Sequence, residues 1–175
     1  VSGGIDVEIE LGDELTRALR RAAELAVDLS APMQEIAVHL AATTDDRFEA
    51  ERGPDGVPWK QTERTRENPG EKILQLSGML RGAVQPDWGA DYAAAGVEAS
   101  GGPAVYAATH QFGATIVPRA AGALSFAGRI VAKVVIPARP FLGFDEVNRA
   151  FALDAIADHL FQAFTSGGAA PAVAP

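Results

Sequence analysis

From Leu15 to Leu40 apolar residues recur at alternating steps of four and three: Leu15, Leu19, Ala22, Ala26, Leu29, Met33, Ile36, Leu40. That spacing lays one continuous stripe along an α-helix, and Pro32 stands inside it. An interior proline forfeits a backbone hydrogen bond and clashes with the preceding turn. Ser30 or Ala31 can cap a new helix with the proline in its first turn. The chain therefore forms two helices, about 13–29 and 31–51, or one helix kinked at Pro32. A stripe this short serves to pack a helix into a core rather than to build a coiled coil.

What that stripe can bury is limited. The chain has 175 residues, enough for one domain. Its hydrophobic fraction of 47% includes 34 alanines, which bury little surface each. Large apolar volume comes only from two tryptophans, two tyrosines, eight phenylalanines and the aliphatic residues. We expect a modest core at 1–166, supplemented by association with other copies, and a disordered tail at 167–175, "GGAAPAVAP".

The rest of the chain alternates short strands and helices. "GIDVEIELGD" places Ile5, Val7, Ile9 and Leu11 at a period of two, a half-buried strand. "RGPDGVPWKQ" ends the second helix with a Pro-Asp-Gly turn. Residues 60–71 read as a mobile loop, and "KILQLSGMLRGAV" as a short helix with Ile73, Leu76, Leu80 and Val84 on one face. Gly78 inside that helix costs about 1 kcal/mol relative to alanine and suggests a close approach by another helix. Strands follow at 83–88 and 91–98, then a helix from Pro103 stopped by Gly113. "AGALSFAGRIVAKVVIPA" is a β-hairpin, and "FDEVNRAFALDAIADHLFQAF" a helix whose apolar residues cover more than one narrow stripe. The fold class is α+β: a small antiparallel sheet packed by a long N-terminal helix and a C-terminal helix, with a protruding hairpin.

Net charge is −8, so the chain lacks the basic footprint of a protein that grips nucleic acid. With no cysteine, disulfides, thiolate chemistry and cysteine zinc sites are excluded. No apolar run reaches the ~18–20 residues that cross a bilayer, and the N-terminus lacks a signal-peptide pattern. We expect a soluble protein, made and kept in a cytoplasm until assembly. His39, His110 and His159 show no metal-ligand spacing, and neither a nucleophile elbow nor a phosphate loop is present. The expectation is no catalytic, metal or cofactor site.

Eight positions stand out as structural or interface candidates: Trp59, Tyr106, His110, Gln111, Phe112, Arg139, Pro140 and Phe141. Trp59 suits a core anchor as well as a contact surface. Tyr106 and His110 lie four apart on one helix face, either an acid–base pair or packing with a hydrogen bond. Arg139, in the rigid "PARPFLGF" at 137–144, calls for a carboxylate or several carbonyls if buried. We expect a carboxylate partner, with Phe141 and Leu142 in the core, fixing the corner between hairpin and C-terminal helix.

"RFEAERGPDGVPWKQ", "ILQLSGMLRGAV", "VYAATHQFG" and "IPARPFLGF" occur in this order, and together they resemble the phage virion morphogenesis proteins of Mu-like phages. The related tail-completion proteins of tailed phages share weaker versions. The resemblance spans about residues 32–146. It implies a structural virion protein of the head–tail connector, or neck, in a ring commonly of six copies that joins the tail to the DNA-filled head. It matches Pro54, Asp55, Gly56 and Trp59 in a turn, and Leu74, Gly78 and Leu80 in a glycine-containing helix. It matches Tyr106, Ala107, His110, Gln111, Phe112 and Gly113 in a short helix, and Arg139, Pro140, Phe141 and Leu142 in the final motif. The implied partners are the chain itself, head-connector proteins and tail-tube or tail-terminator proteins. DNA would pass through the ring without sequence-specific binding, and no membrane is involved. The implied location is the virion neck or tail, assembled in the host bacterial cytoplasm. Alternatives are a tail-terminator ring and, from another class, a virion-associated hydrolase using His110, Tyr106 and nearby acids.

Overall fold

The computed structural model describes residues 13–25, 28–98, 102–118, 123–126 and 129–166. The strand expected at 5–11, the glycine-flanked turn of the hairpin at 127–128 and the tail at 167–175 lie outside them. The proline-interrupted stripe resolves into two helices, α1 (Asp13–Leu25) and α2 (Ser30–Ala50). Pro32 sits in the first turn of α2, where its missing N–H is not needed. The N-cap position falls to Leu29, neither residue expected, and offers no side-chain cap. Asp28 Oδ1 accepts from the Ser30 N–H at 2.9 Å and from its hydroxyl at 2.5 Å.

Two segments differ from their sequence reading. Residues 60–71 contain a helical turn, α3 (Glu63–Glu67), because Thr62 and Thr65 form a reciprocal capping box. The helix expected over the "KILQLSGMLRG" segment shrinks to α4 (Met79–Gly82). Leu74 at φ +61 and Gly78 at φ +71 both take left-handed conformations, which no continuous helix admits. Gly78 has no atom within 4 Å of where a Cβ would sit. Its role is therefore the backbone turn and not the close helix approach expected. Leu76, expected on the buried face, is 75% exposed.

The strands form three separate two-stranded antiparallel ladders, where one small sheet was expected. β1 (Val84–Trp88) pairs with β2 (Ala93–Val97), Val84 opposite Val97 and Trp88 opposite Ala93. This hairpin packs on α2, and its turn accepts the Leu29 N–H at Ala90 O, 3.0 Å. α5 (Gly102–Phe112) stops at Gly113, whose φ of +75 makes it the left-handed C-cap expected.

Next comes an arm of nested ladders. β3 (Ala114–Ile116) pairs with β6 (Val134–Ile136), and between them β4 (Leu124–Phe126) pairs with β5 (Arg129–Val131). The second strand of the expected hairpin is thus divided in two, β5 and β6. The ladder that opens with Phe126 opposite Arg129 runs out at Leu124, and β6 then finds its partner in β3.

α6 (Glu146–Ser166) runs antiparallel along α2: His39 stacks on Phe151, Thr43 meets Asn148, and Arg47 meets Asp145. α1 lies against α6 as well. The core is centred on Phe48, Trp59, Ile73, Leu80 and Phe141, with Tyr106, Ala107, Val97 and Leu142 packed around them. It is as small as the alanine content implied, and the fold class is α+β.

Candidate assembly interface

The Ala-Arg-Pro-Phe-Leu-Gly segment forms the corner between the arm and α6, and most of the singled-out residues converge on it. Phe141 is fully buried, 5.3 Å from Phe48 between ring centroids, and Phe48 in turn meets Trp59 edge-on at 5.5 Å. Trp59 Nε1 donates to the Pro140 carbonyl at 2.9 Å, so this indole is a core anchor with its one polar group satisfied. Gln111 grips the corner from α5. Its Oε1 accepts from the Phe141 and Leu142 N–H groups, both at 3.0 Å, and its Nε2 donates to Leu142 O at 2.8 Å. Gly143 is held so close to Pro54 that a Cβ would lie 2.4 Å from Pro54 Cγ. The Pro-Asp-Gly turn and the corner therefore brace each other.

Arg139 is buried, as its neighbours suggested, but it has no carboxylate partner among the described residues. Its Nε donates to Lys60 O at 2.8 Å and its backbone N–H to His110 O at 2.7 Å. Burial pushes the guanidinium pKa below its ordinary value. A single carbonyl, that of Lys60, meets the guanidinium where an acid was expected. Tyr106 and His110 share a face as expected, rings edge to face at 6.1 Å. His110 Nδ1 is buried with no hydrogen-bond partner among the described residues. Burial first, and the charge of Arg139 second, hold its pKa below the ordinary value, so the imidazole is neutral.

The buried arginine with an acid partner is one the sequence reading missed. Arg47, 7% exposed on α2, donates to Phe141 O at 3.2 Å, Gly143 O at 2.9 Å, Asp145 Oδ2 at 2.8 Å and Asn148 Oδ1 at 2.9 Å. Asn148 is fully buried and donates to Thr43 Oγ1 at 3.0 Å. Asp145 also receives the Asn148 N–H at 2.9 Å, closing the N-terminus of α6. Burial alone would raise the Asp145 pKa. The Asn148 N–H, the Arg47 guanidinium and the Val147 N–H outweigh it and hold the carboxyl below its ordinary 3.8. Two signals pointed here: Arg47 falls on the inward stripe of α2, and Asp145-x-x-Asn148 has the spacing of a capping pair.

The surface carries what the core lacks. Phe112, at the end of α5, is 78% exposed beside an open cleft of ≈ 440 Å³ that Val97, Ala104, Ala108 and Leu142 also line. On α6 the inward face is Asn148, Phe151, Ala152, Ala155, Ile156 and His159. Val147, Ala150, Leu153, Ala157, Phe161 and Phe164 are exposed, and at 100° per residue they fall within an arc of about 120° on the opposite side. Val147 and Phe161 are each 67% exposed. α6 thus has two apolar faces, one of which meets solvent. On the arm, Ile130 is 82% and Val135 61% exposed.

Buried polar groups fasten the backbone segments of this domain, beneath a surface rich in exposed apolar side chains. The chain belongs to the phage virion morphogenesis family, whose model matches residues 11–161. A protein of Escherichia phage Mu, provisionally named capsid assembly protein G, is 33% identical over 131 residues, 69% of this chain and 72% of that protein. No solved structure matches the chain. Family and relative give it a structural or assembly role in a phage particle.

Proposed function

We propose that this protein is a tail-completion component of the phage neck, forming a ring of its own copies that joins the tail to the DNA-filled head. The observation that carries the reading is the second apolar face of α6, which a monomer would leave in water. Family membership supports a role in virion morphogenesis, and the name of the Mu relative supports work on the head side of the junction. The small core supports dependence on neighbours, since exposed phenylalanines gain their burial only in a complex.

The mechanism is docking rather than covalent chemistry. Copies associate through the apolar faces, and the corner held by Gln111, Trp59 and Arg47 fixes the angle at which arm and α6 leave the body. The net charge of −8 supports a channel wall along which DNA slides instead of sticking. The test is to add the purified protein to DNA-filled heads and free tails produced without it, and to map the joined particles. Joined particles with a ring of this chain at the junction are expected. Failure to join them, or a ring located only on the end of an unattached tail tube, would contradict the neck assignment.

A further inference from the structure

Charge is unevenly distributed along this chain. The arm, residues 114–136, contains Arg119, Arg129 and Lys133 and no Asp or Glu. The remaining residues carry 12 Lys and Arg against 23 Asp and Glu. The arm also exposes apolar side chains, Ile130, Val135 and Val117, the last 57% exposed, and Lys133, between Ile130 and Val135 in sequence, is exposed too. Its described exposed side chains are thus apolar, with the positive charge of Lys133.

The outward stripe of α6 is the complement. Asp154 and Asp158, four apart and both exposed, border Val147, Leu153, Ala157 and Phe161. Its surface is apolar with negative charge. We infer that the arm of one copy docks on the outer face of α6 of the next copy, Ile130 and Val135 against the apolar stripe and Lys133 against Asp154 and Asp158. Opposite charges set the register and like charges exclude wrong pairings, while the apolar stripe supplies the area. Two unlike patches of one chain meeting in this way make a head-to-tail contact, the kind that generates a closed ring. A nucleic-acid surface would need a run of cations with few exposed aliphatic groups. The exposed valines and isoleucine of the arm favour a protein partner instead.

The inference rests on the proposed self-assembly and is tested by charge exchange in the full chain. Lys133→Glu and Asp154→Lys are made singly and together, their folding is checked by circular dichroism, and association is measured by sedimentation at low salt. Both substituted positions are exposed, so the variants should fold. Each single reversal should weaken association by about tenfold or more, since it places like charges face to face. The double exchange should restore it. Single reversals that leave association unchanged overturn this docking while leaving self-assembly intact. A wild-type chain that never associates removes the reading underneath it. Binding to a short DNA duplex, followed by fluorescence anisotropy, is measured alongside. Loss of DNA binding in Lys133→Glu with unaltered association would assign the arm to DNA and overturn the inference.

Discussion

Arg47 shows how one side chain can hold three parts of this molecule together. Its guanidinium ties α2 to two carbonyls of the corner and to both polar residues at the start of α6. Arg47→Ala leaves the half-buried Asp145 carboxylate without its cation and two corner carbonyls without their donor, and should cost about 2–3 kcal/mol in a denaturant melt. Arg47→Lys should recover little, because a point charge cannot reproduce the planar fork. A variant within 1 kcal/mol of wild type, on the scale of ordinary surface substitutions, would contradict this role. His110 gives a pH signature. Its pKa is lower in the folded chain than the ordinary 6.5, so the unfolded chain takes up the proton first. Stability contributed by this group is complete above pH 6.5 and falls as pH drops below it. His110→Gln should flatten the urea midpoint across that window. Asp145, also depressed, adds a separate loss below 3.8 that Asp145→Asn should remove.

At the scale of elements, the sequence was legible wherever local chemistry decides structure. Pro32 forced a helix start, Gly113 a helix stop, and Pro54-Asp55-Gly56 a turn, and each is where local geometry requires it. The corner at 137–144 was legible as rigid, with Phe141 in the core. What escaped was set by distant partners. Nothing local to Arg139 says that Lys60 O, far along the chain, would take the place of a carboxylate. Periodicity alone read Ile73 to Val84 as helix, whereas core packing holds Leu74 at a positive φ. The outer stripe of α6 was visible only as an excess of apolar residues, and which half faced solvent depended on α2. Two predictions belong here. Gly113→Ala places a Cβ 2.9 Å from Ala138 N at a φ of +75, so it should cost about 2 kcal/mol or more, read as a fall in melting temperature. Gln111→Ala removes three hydrogen bonds to the corner and should destabilise by about 1–3 kcal/mol. An unchanged melting temperature in either would show the corner to be held by other means.

For the whole molecule, a small core and a generously apolar surface are two sides of one design. Residues that would fill the interior of a self-sufficient domain lie on the outside, on α6, on the arm and at Phe112. On the proposed function, such a chain reaches full burial only among its neighbours. On the proposed docking, polar contacts steer and apolar area sustains, so association should weaken with added salt without vanishing. The direct measurement is sedimentation velocity of the full chain over a hundredfold range of concentration, with Phe161→Asp as its companion. The wild type should form a discrete multi-copy species that grows at the expense of monomer. Phe161→Asp, altered only on the solvent side of α6, should remain folded and monomeric. A wild-type chain that sediments as a monomer throughout would contradict the account.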